Sequence, residues 1–171
     1  MALLTDDVRS YIGRTSEPWF ACDAIEAGAV RRYAQAIMDP DPAYAGEGRD
    51  RFGGPVAPPL YPAFMFRLPF GSPDYLTENA ENPDFDGLAT SVSSGLPELP
   101  LPGLALLNGG AEIELFRYAR HGERVLQKSR YADITERQSK AGPMLLVIVE
   151  TTYETEAGEV LLKVRKTLIR R

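Results

Sequence analysis

The stretch PMLLVIVETTYETEAGEVLLKVRKTLIRR, residues 143–171, is apolar at consecutive positions from Met144 to Val149, turns at EAGE and closes in a second, alternating run. An apolar run this short, rich in β-branched side chains and followed by a Gly-containing turn, predicts a strand, and the alternation after it predicts an antiparallel neighbour. Because Met144 to Val149 offers no polar side to water, this strand is expected at the centre of a sheet with both faces buried. Working back along the chain, RVLQKSRYADITERQ (124–138) alternates, RHGE (120–123) turns and AEIELFRYA (111–119) alternates. Strands in sequence with short turns between them form an antiparallel meander of about four strands.

The first half reads differently. PWFAC (18–22) has the pattern of a strand, and Asp23 followed three residues later by Glu26 matches a capping box, which places a helix start at Asp23. Ile25, Ala29, Tyr33 and Ile37, with Val30 beside them, repeat at helical spacing and predict one buried face. Pro40 disfavours helical geometry in the residue before it and Pro42 repeats the constraint, so the helix should end at Met38 or Asp39. In FGGPVAPPLYPAFMFRL (52–68), a Gly- and Pro-rich entry leads into Ala63–Leu68, apolar nearly all round, which predicts a buried helix entered through a rigid turn. Residues 69–108 carry Pro69, Pro73, Pro83, Pro97, Pro100 and Pro102 with no sustained period, and predict a long loop or insertion. The class is therefore α+β.

Bulk properties narrow the function. A chain of 171 residues, 44% hydrophobic and 25% charged, suits a single domain over 1–171. The net charge of −5 argues against a general nucleic-acid surface, and the terminal RKTLIRR reads as a solvated strand end. No run of 18 apolar residues exists and MALLTDDVRS lacks the features of a signal peptide, so a cytoplasmic location is expected, without membrane contact. Cys22 is the only cysteine and His121 the only histidine, which excludes a disulfide or a His/Cys zinc site within the chain. Cys22 reads as a strand residue and His121 as a turn residue.

The layout, with GGPVAPPLYPAF, LNGGAEIELFR, HGERV and the ending TTYETEAGEVLLKVRKTLIRR, resembles the MaoC-like dehydratase N-terminal domain family. That resemblance implies a hot-dog fold, an antiparallel sheet wrapped around a central buried helix, here with a long Pro-rich insertion. Catalytic relatives are (R)-specific enoyl-CoA hydratases and 3-hydroxyacyl dehydratases, in which a motif Gly-Asp-x-Asn-Pro-x-His holds and deprotonates a water through its Asp and His. The corresponding run here is Met38-Asp39-Pro40-Asp41-Pro42-Ala43-Tyr44, so Asp39 falls on the Asp and Tyr44 on the His. A phenol, ordinarily titrating near pH 10, is a poor base at neutrality. The relatives also use a Gly N–H at the start of the central helix to bind the thioester carbonyl, and Pro59, which has no N–H, stands at that position. Asn108 matches a place where many N-terminal-type relatives carry His, and its residue type alone fits a turn before a strand.

By resemblance, then, the chain is expected to be one subunit of a heteromeric hydratase or dehydratase. It would wall the acyl tunnel with Ala57, Tyr61 and Phe64, line the degenerate counterpart of the active site with Asp39 as its catalytic residue and Tyr44 as a substrate-binding one, bind substrate also through Asn108, and rely on a partner hot-dog chain for the intact motif. The substrate would be an acyl-CoA or acyl-carrier-protein thioester, with no further cofactor and no metal. Phe70, Tyr75, Leu76, Leu96, Leu99 and Leu101 of the insertion would cover or open the tunnel end. Two alternatives stay open: a self-sufficient homodimeric hydratase or thioesterase using Asp39, and a non-catalytic acyl-CoA-binding or scaffolding subunit.

Overall fold

The structure is a computed structural model and describes residues 2–47, 49–73, 75–83, 95–140 and 142–171. Its elements run α1 (Asp6–Arg9), β1 (Trp19–Phe20), α2 (Ala27–Ala36), a 3-10 turn (Pro42–Ala45), α3 (Arg49–Phe52), α4 (Tyr61–Phe64), α5 (Tyr75–Glu78), β2 (Leu106–Leu115), β3 (Val125–Ser139), β4 (Gly142–Thr155) and β5 (Val160–Arg170). All strand pairs are antiparallel, in the spatial order β1-β3-β4-β5-β2. The apolar run from Met144 to Val149 lies in the central strand, β4, as expected. No helix among the described residues is long and apolar enough to cross a membrane.

Only one face of β4 is buried, against expectation. Leu145, Val147, Val149 and Tyr153 point into the core, while Met144, Leu146 and Ile148 between them are only partly covered. The second face is a charged ladder on the same strands: Lys128 Nζ lies 2.7 Å from Glu154 Oε1 and Arg130 lies 2.9 Å from Glu150 Oε1. A period-2 strand tolerates apolar side chains on its outer face, so a continuous apolar run does not by itself prove double burial.

The buried face carries two adjoining clusters. One unites Ile25, Val30, Ala57, Tyr61, Val125, Tyr153, Leu161 and Leu162, where α2 and α4 lie across the sheet. The other unites Val8, Leu96, Leu101, Tyr131, Ile134, Leu145, Val147 and Val149, where α1 and the segment before β2 cover the remaining length. Leu96 and Leu101, expected at a tunnel end, are thus core residues, 4% and 6% exposed. Phe70 is fully exposed. The side chains of Tyr75 and Leu76, expected as cover residues, lie outside the described residues.

Several helix boundaries differ from expectation. The helix expected from Asp23 starts at Ala27, because Ile25 N–H is already committed to Glu123 C=O at 2.9 Å and Glu26 serves as N-cap without a side-chain bond; the capping box does not form. The tertiary bond outcompetes the local signal. Ile37 is the C-cap and is exposed, so it leaves the buried face. The buried helix expected over 63–68 is a single turn at Tyr61–Phe64, with Phe64 and Leu68 exposed. Residues 65–68 have no regular secondary structure, Met65 serving as the C-cap of α4, and PWFAC contributes only the two residues of β1. Cys22 is exposed just beyond β1, its Sγ 3.1 Å from Arg67 O.

At Gly109 the edge strand β2 presses on β5. A Cβ there would meet Thr167 Cγ2 at 2.9 Å, Thr167 O at 3.0 Å and Ile169 Cγ1 at 3.2 Å, so no larger residue fits without moving backbone.

The core tyrosines set an alkaline limit. Burial pushes the phenols of Tyr131 and Tyr153 up from 10.0 to about 12, Tyr131 also donating to Pro97 C=O at 2.8 Å. The folded state holds these protons more tightly than the unfolded chain, so their contribution to stability is complete below pH 10 and drains away as the pH rises toward 12. Denaturant midpoints are expected to hold steady up to pH 10 and fall above it, with the tyrosinate absorbance of Tyr131 and Tyr153 appearing only as the chain unfolds. A tyrosinate signal that reaches full amplitude in still-folded protein near pH 10 would contradict this.

Candidate functional site

Helix α2 ends in a Schellman arrangement: Asp39 N–H donates to Ala34 C=O at 3.0 Å and Met38 N–H to Gln35 C=O at 3.2 Å. Met38 occupies the left-handed position that glycine normally takes, with φ 57°. This termination turns the chain sharply and presents Asp39 at a fixed angle. Asp39 Oδ1 then accepts from Asp41 N–H at 3.2 Å, and Asp41 Oδ1 accepts from Ala43 N–H at 2.9 Å, capping the 3-10 turn that carries Tyr44.

The turn brings Tyr44 back onto Asp39. The phenol donates to Asp39 Oδ2 at 2.6 Å. Burial, the hydrogen bond to Asp39 and the Asp39 charge, in that order, raise the Tyr44 pKa well above the ordinary phenol range. The proton therefore stays on the phenol throughout the neutral range, and one oxygen of Asp39 is engaged as its acceptor. Asp39 and Tyr44, paired by motif alignment alone, are direct partners in space, but as a closed donor and acceptor rather than two groups flanking a water.

Both residues line a cavity of about 760 Å³ with Arg31, Gln35, Pro55 and His121 among its other walls. Four chain segments are stitched together here. Val56 N–H reaches Ala43 C=O at 3.2 Å, Ala57 N–H reaches Ala119 C=O at 2.8 Å, His121 N–H reaches Pro55 C=O at 3.1 Å and Gly122 N–H reaches Ile25 C=O at 2.8 Å. The hairpin bearing His121 is stiffened by Arg117, which donates twice to the Glu123 carboxylate, at 2.8 and 3.0 Å. Those bonds, with a further one to Glu159, hold the guanidinium charge and raise the Arg117 pKa. His121 does sit in a turn, but its imidazole also forms part of the Asp39 cavity, and Nε2 is buried without a hydrogen-bond partner among the described residues. Reading the sequence segment by segment misses this, since residues 39 and 121 meet only through the pairing of 55–57 with 119–121. Arg31 and Gln35 were legible in principle, since four residues apart they share one flank of α2, and Met38 follows just beyond its C-cap.

The other expected residues lie elsewhere. Tyr61 and Phe64 line a separate groove of about 350 Å³ on the other flank of α2, with Tyr33, Arg32, Met65 and Arg67. Tyr33 packs on both aromatics at ring centroid distances of 5.3 and 5.2 Å, and the Arg67 guanidinium lies over Phe64. Ala57 is completely buried in the core. Asn108 does not precede a strand as a turn residue. It lies within β2 at a register shift, exposed, its side chain accepting from Gly110 N–H at 2.9 Å.

The start of α4 offers little to a developing negative charge. Pro59 and Pro62 have no N–H, and that of Tyr61 is bonded to Pro58 C=O at 2.9 Å. Among the described residues no group of three His, Cys, Asp or Glu side chains could hold a metal ion.

A five-stranded antiparallel sheet with helices on one face, and an Asp-bearing turn after the longest of them, is the layout of a hot-dog domain. Residues 10–164 match the family described as FAS1-like, dehydratase domain region, and the chain belongs to that family. The fold is similar to that in the ChsH1-ChsH2 complex from Mycobacterium tuberculosis, at 16% identity over 95% of this chain and 86% of that one, with a TM-score of 0.67. It is also similar to the MaoC-like dehydratase from Rhodospirillum rubrum, at 20% identity over 94% and 93% of the two chains and a TM-score of 0.57. The HadBC 3R-hydroxyacyl-ACP dehydratase complex from Mycobacterium tuberculosis matches at 14% identity over 93% and 96%, with a TM-score of 0.56. No curated protein sequence matches.

Proposed function

We propose that the chain is a tunnel-shaping subunit of an enoyl-thioester hydratase or 3-hydroxyacyl-thioester dehydratase, and that a second hot-dog chain supplies the water-activating Asp and His. The observation that carries this is the Tyr44 to Asp39 hydrogen bond of 2.6 Å. Hydration needs a base to take a proton from water as its oxygen bonds the β-carbon, and a donor for the charge that gathers on the thioester carbonyl. Here the acid partner of the pair is a phenol that keeps its proton, and Pro59 and Pro62 at the start of α4 have no N–H for the carbonyl. Two of the similar structures are complexes, ChsH1-ChsH2 and HadBC, which fits a chain that works beside another.

In this assembly the aromatic groove of Tyr33, Tyr61 and Phe64 receives the acyl chain, with Ala57 backing it from the core. Asp39 and Tyr44 line the cavity on the opposite flank of α2, and Asn108 faces the partner from the edge strand. The substrate is an acyl thioester of CoA or of an acyl carrier protein, and no cofactor is needed for addition or loss of water.

The test is hydration of a trans-2-enoyl-CoA by the purified chain, alone and mixed with a hot-dog protein bearing the intact motif. Turnover is expected only in the mixture. Turnover by the chain alone that disappears in Asp39→Asn would establish the self-sufficient enzyme instead. Kinetics of the mixture that ignore Tyr61→Ala and Phe64→Ala at every acyl length would reduce the chain to a scaffold.

A further inference from the structure

Of the sheet's two edges, β1 is two residues long and β2 is ten, and every residue of β2 from Leu107 to Leu115 is exposed. An edge this long with uncovered Ile113 and Leu115, and Phe116 beyond them, is a pairing surface that asks for an occupant. On its opposite side β2 is saturated by β5, with Ile113 beside Val164 and Leu115 beside Leu162. The other face of the same strand carries Glu112 and Glu114, set opposite Arg165 and Lys163. Neither carboxylate forms an ion pair among the described residues, and Lys163 Nζ lies instead over the Phe116 ring.

We propose that Glu112 and Glu114 select the occupant of this edge: a different hot-dog chain whose own edge strand presents Lys or Arg, and not a second copy of this one. The proposal rests on the reading above that the partner is another hot-dog chain, and adds the surface and the charge by which it is chosen. Residues directly opposite in an antiparallel pair share a face of the sheet, so two copies joined about a two-fold axis must centre on one residue. An axis through Ile113 sets Glu112 against Glu114 of the other copy, twice. An axis through Glu112 or through Glu114 sets that carboxylate against its own counterpart. Centring on Ala111 runs the pair across the break in register between Asn108 and Ala111, and centring on Leu115 runs it off the end of the strand. Like charges directly opposite are destabilising and opposite charges stabilising on a sheet face, so every intact self-pairing is penalised where a cationic strand is favoured.

Sedimentation velocity on the full chain tests this at low salt. The Glu112→Gln, Glu114→Gln variant is expected to self-associate about tenfold or more tightly than the wild type, through the removal of facing carboxylates. A Glu112→Lys, Glu114→Lys variant supplies the cationic strand directly: mixed with wild type it is expected to form a salt-sensitive heterodimer that neither forms alone. Self-association unchanged by the Gln pair, whether both forms are monomers or both are dimers, overturns the proposal, as does a Lys variant that ignores the wild type. Both residues replaced are on the exposed edge, and unchanged far-UV circular dichroism confirms that the variants fold. None of these measurements involves turnover, so a failed hydration assay leaves the result standing and the reverse holds as well.

Discussion

The Tyr44→His, Pro59→Gly variant is expected to hydrate trans-2-enoyl-CoA at a rate the wild-type chain does not approach. Two separate deficits are repaired. Tyr44 closes directly on Asp39 at 2.6 Å, filling the place where a water would have to sit and engaging the oxygen that would hold it. An imidazole is shorter than a phenol by roughly the space a water needs, and it exchanges protons at neutral pH where a phenol raised by burial does not. General acid–base groups of this sort contribute about 10² to 10⁴ in rate. The Gly at 59 restores an N–H at the start of α4, and one such donor is worth on the order of 10² to 10³. The product of the two factors is reached only where both groups serve one transition state, so the single variants should gain far less than it implies. Steady-state loss of the conjugated enoyl absorbance measures all three. A folded double variant no faster than wild type would mean that the cavity beside Asp39 is not where the thioester lies.

Much of this was open to a sequence reading and some of it was not, for physical reasons that differ by residue. The meander from 111 to 170 is legible because alternation and Gly turns are local signals, and Asp39 with Tyr44 because five residues of Pro-rich chain can place two side chains in only a few ways. Helix starts were harder. Asp23 and Glu26 spell a capping box, yet a backbone bond from Ile25 to Glu123 across the fold takes precedence, and no local pattern announces it. His121 belongs to the Asp39 cavity only because 55–57 and 119–121 pair. Tyr61 and Phe64 sit on the opposite flank of α2 from Asp39, a separation that depends on how the helix is rotated against the sheet.

The segment before β2 teaches the sharpest lesson, and it carries the largest expected loss of stability. Pro-rich and aperiodic, residues 95–104 look like a loop that could cover a tunnel and be altered freely. Leu96 and Leu101 are nonetheless as buried as strand residues, packed with Val8 on Tyr131, Ile134, Leu145 and Val147, over the half of the sheet that α2 and α4 do not reach. An irregular segment can bury side chains while its backbone stays at the surface, so period carries no information about it. Leu96→Ala and Leu101→Ala are each expected to cost about 2–5 kcal/mol in chemical denaturation, since the rigid strand residues beneath cannot close the space left behind. Phe70→Ala, a larger truncation at a fully exposed site in the same aperiodic stretch, should change stability by no more than about 0.5 kcal/mol. If the three variants unfolded alike, the second core cluster would not exist as described. If the leucines destabilise as expected, a change in acyl-chain preference on deleting this stretch could not be read as loss of a substrate cover, because the deletion would first uncover the core.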